Sequence, residues 1–236
     1  MTHHEIAIQA QSVLDRDYSA QYRDSDELEV QTDDHKRLCN TLAQITLSFE
    51  NPITALDLGC GTGRYFHCLQ NVETLTAVDL SLEMLKLARF PVKGEAVAIG
   101  RIHLICANVL DVYLTGLFDL IYSIGVFGEV VPWDLPTCNR LFDTLKPGGK
   151  LFFTVVDVFS KYPDMTKKRR IAETVNLILP SLYKRKLRAR LGTFYMTEGE
   201  LINIFKRSKF EKFQISRHVS TARLWKGPHY ECLATK

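Results

Sequence analysis

The sequence predicts an α/β domain built on a doubly wound, mostly parallel sheet with helices on both faces. Two observations carry that expectation. Short apolar runs, beginning with ITALDL at Ile53–Leu58, alternate with segments of helical period. The first run passes straight into a glycine-rich turn, GCGTGR. Alternating elements of these lengths require crossover connections, which sandwich the sheet between helices and leave ligands at the carboxyl ends of the strands.

Taken in order, the first 50 residues form a helical cap, in which Thr32 and Asp33 cap a helix that spaces Leu38, Leu42, Ile45 and Phe49 on one face until Asn51-Pro52. ITALDL is then a strand, GCGTGR a tight turn and YFHCLQ a helical segment. LTAVDLS (Leu75–Ser81) is a strand, SLEMLKLARF a helix capped by Ser81 and stopped by Pro91, and RIHLICANV (Arg101–Val109) a strand. FDLIYSIGV (Phe118–Val126), a helix near Leu135–Leu145, a KPGG turn (Lys146–Gly149) and KLFFTVVDV (Lys150–Val158) complete a core over residues 51–158. Residues 159–196 read as a basic, helix-prone lid insertion. A helix from Thr197 follows, then KFQISRHV and HYECLATK as two strands joined by a Gly227-Pro228 turn, closing a single domain over residues 1–236.

The composition, 46% hydrophobic and 24% charged, is that of an ordinary globular chain. No apolar run reaches the length of a membrane span and the first residues lack the layout of a signal peptide, so a cytoplasmic protein is expected. The six cysteines, Cys39, Cys60, Cys68, Cys106, Cys138 and Cys232, show no C-x-x-C pair and no His/Cys cluster at metal spacing. Free, mostly buried thiols and no metal site are expected. Net charge is polarised along the chain, about −7 over residues 1–60 and about +12 over residues 161–236.

The glycine turn carries the chemistry. Gly59, Gly61 and Gly63 let the backbone approach a ligand, and Asp57 ends the strand beside them. A pyrophosphate-binding turn would place glycine at position 64, where Arg64 stands. LDLGCGTG resembles motif I of the class I S-adenosylmethionine-dependent methyltransferases. FDLIYSIGVFGEV and LKPGGKLFFTV resemble that family's fourth-strand and fifth-strand segments, so the resemblance covers about residues 53–158 in order. It implies a seven-stranded sheet with an antiparallel terminal strand, and S-adenosyl-L-methionine as cofactor with S-adenosyl-L-homocysteine as product. Gly59, Cys60, Gly61 and Asp57 would cradle its amino-acid end, Asp79 would accept the ribose hydroxyls, Leu80 and Met84 would line the adenine, and Asn108 and Val109 would hold and stack it. Ser123 would stand in the wall between cofactor and acceptor, and Tyr22 would close the pocket.

Methyl transfer from a sulfonium is an in-line displacement, which needs alignment and desolvation and in some cases a base. Glu129 is the first candidate base, with a solvated surface carboxylate as its competing reading; His229, Tyr18 and Tyr195 follow. The expected reaction is methyl transfer to oxygen or nitrogen of a small-molecule metabolite. The basic clusters Lys167–Arg170 and Lys184–Arg190 suit a solvated lid, an acidic substrate, or RNA or an anionic membrane. RNA methylation through that segment and a non-catalytic, cofactor-binding subunit are the alternatives; a monomer or homodimer is expected.

Overall fold

Thr32 begins the ordered scaffold as the sequence requires: its hydroxyl accepts from the His35 N–H at 3.2 Å and starts a helix that buries His35, Leu38, Leu42 and Ile45 against the sheet. The computed structural model describes residues 16–112, 115–158, 194–220 and 227–236. In chain order the elements are α1 (Arg16–Glu29), α2 (Asp33–Leu47), β1 (Ile53–Leu58), β2 (Val72–Asp79), α3 (Leu82–Ala88), β3 (Ile99–Cys106), β4 (Phe118–Ser123), α4 (Leu135–Thr144), β5 (Leu145–Val156), α5 (Glu198–Arg207), β6 (Lys212–Ser220) and β7 (Gly227–Thr235).

The strands make one seven-stranded sheet in the order β3-β2-β1-β4-β5-β7-β6. All neighbours from β3 to β5 pair parallel, and β7 lies antiparallel between β5 and β6. Alternate residues of the central strands feed two cores. Leu56, Ile121 and Phe153 pack with Trp133, Leu141 and Phe205 on one face. Ala55, Leu120 and Phe152 pack with Leu38, Leu42 and Ile45 on the other. Strands buried on both faces explain why they read as nearly continuous apolar runs.

Several local expectations are corrected. YFHCLQ is a single 3-10 turn at Phe66–Cys68 rather than a helix, because Gly63 takes φ +78° and the chain descends at once to bury Cys68 and Leu69. KPGG is a bulge inside β5: pairing with β4 jumps from Phe118↔Leu145 to Leu120↔Lys150, and Gly148 at φ +76° absorbs the extra residues. Gly227 and Pro228 belong to β7, paired with Ser220 and Val219, so the connection lies earlier, in residues 221–226 outside the described set. The lid expectation over residues 159–196 lies almost wholly outside the described residues. Cys39 and Cys68, expected as free thiols, are paired as a disulfide with their Cα atoms 4.7 Å apart; Cys60, Cys106, Cys138 and Cys232 are free. Among the described residues no helix is long and apolar enough to cross a membrane.

Candidate active site

The turn after β1 owes its shape to three left-handed glycines, Gly59, Gly61 and Gly63 at φ +84°, +54° and +78°. The N–H groups of Gly59 and Cys60 both donate to the Val78 carbonyl, at 2.8 and 3.0 Å, lashing the turn to the end of β2. A Cβ on Gly59 would stand 2.3 Å from Val126 Cγ2, and one on Gly63 2.7 Å from the Phe66 ring. At Gly61 the nearest atom to such a carbon is Tyr22 Cε1, 3.8 Å away, so the backbone there faces a gap bounded by α1.

Asp79 closes β2 with its carboxylate aimed back at the turn. Oδ2 accepts the Gly61 N–H at 2.8 Å and Oδ1 the Ser81 N–H at 2.9 Å. Burial raises its pKa, and these backbone donors oppose the rise. Leu80 is half-buried beside it, and Met84 is buried on α3. The Ala107 N–H donates to the Asp79 carbonyl at 3.0 Å, which fixes Asn108 and Val109 just past the end of β3. Asn108 Oδ1 accepts the Leu110 N–H at 3.0 Å, shaping the local turn; Val109 is buried.

Three predicted residues sit lower. Asp57 is only 3% exposed, beneath the turn beside Tyr122, and burial, with a smaller contribution from Asp79, pushes its carboxyl up to about 8. Cys60 is buried with its thiol pushed upward, chiefly by desolvation. Ser123 is wholly buried and donates to the Leu58 carbonyl at 2.6 Å, pinning β4 to β1 instead of presenting its hydroxyl in a wall.

What covers this turn is held by a pair that local sequence does not show. Arg64 is buried and pairs with the fully buried Asp26 of α1 at 2.9 Å. Thr62 donates to the other Asp26 oxygen. The clamp holds α1 across the turn and sets Tyr22 over Gly61; burial drives the Tyr22 phenol upward. Tyr18 lies one turn earlier, its ring 6.0 Å from that of Tyr22. Its phenol is pushed up by burial and then by the negative charge of Glu129. Glu129 follows β4 on the loop whose Val126 packs on Gly59, and its carbonyl accepts the Phe194 N–H at 3.3 Å. A lone acid with its basic partner 38 positions away gives little sequence signal; the cue available was Arg64, a basic residue directly after the glycine turn.

His229 stands elsewhere. It is buried on β7, opposite Val156, with Nε2 3.5 Å from Glu231 and 3.4 Å from the Arg37 guanidinium. Glu231 is held below its ordinary pKa, its burial outweighed by His229 and Arg37. With Glu29, Asp34, Arg64 and Tyr65, His229 lines a small cavity between the cap and β7. Tyr195 is buried with Val156 and Val158.

A half-buried carboxylate at the end of β2, a glycine cradle with its open position under an aromatic ring, and Asn108 beyond β3 suit an adenosyl sulfonium amino acid. Residues 55–149 match the family model described as a methyltransferase domain. A methyltransferase from Aquifex aeolicus shares the fold at TM-score 0.56 and 17% identity, covering 94% of this chain and 98% of its own. One from Mesorhizobium loti gives 0.55 and 19%, covering 82% and 96%, and a possible histamine N-methyltransferase from Thermotoga maritima gives 0.51 and 17%, covering 91% and 99%. No curated protein matches the chain by sequence. Residues 55–149 thus carry a methyltransferase domain, and the chain shares its fold with S-adenosylmethionine-dependent methyltransferases. Such a domain implies S-adenosylmethionine as cofactor.

Proposed function

We propose that the enzyme methylates an oxygen or nitrogen of a small-molecule metabolite, with Glu129 receiving the proton that the acceptor loses. The supporting observation is the loop after β4. Val126 packs on Gly59 of the cofactor turn, and three residues later Glu129 faces Tyr18 of the cap. This reading puts a half-buried carboxylate on the loop that packs against the cofactor turn, next to the cap helix. The bound cofactor supplies an electrophilic methyl and its own leaving group. The chain's task is to hold that carbon in line with the acceptor and to shield it.

In this reading Asp79 orients the ribose, the Gly59–Gly61 backbone and Cys60 carry the amino-acid end, Leu80, Met84, Asn108 and Val109 flank the adenine, and Tyr22 covers the turn. Asp57 acts from below by supporting the turn. The small-acceptor reading draws on the aromatic cover over the cradle, and the Thermotoga neighbour, a possible histamine N-methyltransferase, is consistent with it.

The test is a methyl-transfer screen of small amines, phenols and carboxylic acids with labelled cofactor, run beside bulk RNA. Transfer to a small acceptor, lowered by roughly 10²–10⁴-fold in kcat in Glu129→Gln while the Kd for S-adenosylhomocysteine stays within about twofold, is the expected result. Transfer to RNA alone, with steep salt dependence, would overturn the acceptor class. Full turnover in Glu129→Gln would overturn the base.

A further inference from the structure

The fold brings together four side chains that no part of methyl transfer uses. His35 and Cys39 lie one turn apart on the same face of α2, and His67 and Cys68 are adjacent in the 3-10 turn that follows the glycine turn. Their four ligand atoms all fall within 4.8 Å of one another. His35 and Cys68 are buried, and Cys39 and His67 half-buried. We propose that these residues form a Cys2His2 site for a tetrahedral divalent metal ion, zinc, that ties α2 to the cofactor turn.

With zinc–sulfur near 2.3 Å and zinc–nitrogen near 2.05 Å, a tetrahedron has edges of about 3.4 Å between nitrogens and about 3.6 Å between nitrogen and sulfur. The two Nε2 atoms are 3.4 Å apart. Cys39 Sγ lies 3.2 Å from His35 Nε2 and 3.7 Å from His67 Nε2, and Cys68 Sγ lies 4.0 and 3.6 Å from the same two atoms. Five of six edges therefore lie within about 0.4 Å of tetrahedral length. The sixth joins the two sulfurs, which are bonded to each other as a disulfide; two-electron reduction by an external thiol frees them, and side-chain rotation then separates them around the ion.

A disulfide would explain the sulfurs but not the imidazoles. Both rings turn Nε2 toward the sulfurs and stack on each other at 5.3 Å, with His35 also stacked on Tyr65 at 5.1 Å. Two thiolates, two neutral imidazoles and one zinc ion sum to zero charge, so the occupied site is cheap to bury, whereas either thiolate alone is not. Sulfur and imidazole donors in equal number select zinc among common divalent ions. The linear spacing hid the site, because its halves are separated by 28 residues in the chain.

The site lies three residues beyond Arg64, whose pair with Asp26 fastens α1 over the turn. Metal there would brace both cap helices against the cofactor cradle from one point.

The full chain, reduced and stripped of metal, is titrated with Co2+ alone and then Zn2+. Tetrahedral cobalt absorption with thiolate charge transfer at one equivalent, displaced by one equivalent of zinc, is the expected result. The double variant Cys39→Ser, Cys68→Ser should weaken cobalt binding by ~100-fold or more, and His67→Cys, which keeps four ligands, should retain it. Absence of the tetrahedral spectrum in the reduced wild-type chain overturns the proposal even if the variants fail to fold. So does undiminished binding in the double serine variant, or a Cys39–Cys68 disulfide found in all molecules when lysates are alkylated before any oxidation.

Discussion

The cofactor cradle and the cap that covers it are built by different means. The cradle joins neighbours: Gly59, Cys60 and Gly61 bond to Val78 and Asp79 of the next strand, mostly backbone to backbone. The cap is held by side chains far apart in the chain. Asp26 meets Arg64, Arg37 meets Glu231 across 194 residues, and Asp34 accepts from Ser220 across 186. A cradle made of backbone tolerates few residue types and leaves a motif. A cap made of remote pairs leaves single residues that mean nothing until the fold brings them together.

That difference is open to perturbation, and the cap should give the largest effect. Asp26→Ala leaves Arg64 buried without its partner, a change that costs about 3–5 kcal/mol when one member of a buried pair is removed. Urea denaturation should show the midpoint falling with unchanged m. A loss below about 1 kcal/mol would mean that the clamp is not what holds α1.

In the cradle, Gly59→Ala should cost roughly 2–4 kcal/mol, from a side chain at φ +84° and a Cβ driven into Val126. Unlike the cap variant, it should also abolish most S-adenosylhomocysteine binding under conditions where the protein remains folded. Calorimetric titration separates the two. Equal loss of affinity per kcal/mol of stability in both variants would erase the distinction between cradle and cap.

What the sequence made legible follows this division. The alternation of strands and helices, the Thr32 and Thr197 caps, and the placing of Gly59, Asp79 and Asn108 at strand ends could be read because each rests on local period, capping or turn chemistry. The 3-10 turn at Phe66–Cys68 and the KPGG bulge were misread because tertiary burial and strand register override local preference there. Ser123 and Asp57 were assigned to the ligand's side of the cleft since position in a motif does not say which way a side chain points. The Asp26–Arg64 clamp left only the basic residue after the glycine turn as a cue, and the His35, Cys39, His67, Cys68 cluster is split into two halves far apart in the chain.

Beneath the cradle, Asp57 makes stability depend on pH. Its folded pKa, about 8, exceeds the unfolded value near 3.9, so the folded state binds the extra proton between them. Stability from this group is complete below about pH 4 and is lost as pH rises through about 8, with a limiting slope of about −1.4 kcal/mol per pH unit. Asp57→Asn should flatten that part of the profile measured by urea melts from pH 4 to 9. An unchanged slope would show that the buried carboxyl titrates normally.

The smallest effect should come from Ser123, which the sequence placed in the cofactor wall and the fold places in the sheet. Its hydroxyl is wholly buried and donates to the Leu58 carbonyl, so Ser123→Ala removes one buried hydrogen bond and leaves one carbonyl short of a partner, about 1 kcal/mol. Cofactor affinity should stay within about twofold, because the hydroxyl faces β1 and not the cleft. A tenfold loss of S-adenosylhomocysteine binding without matching loss of stability would return Ser123 to the ligand's side. It would also show that the β4 end rearranges when cofactor binds, making the wall of the cleft, unlike the glycine cradle, a product of ligation.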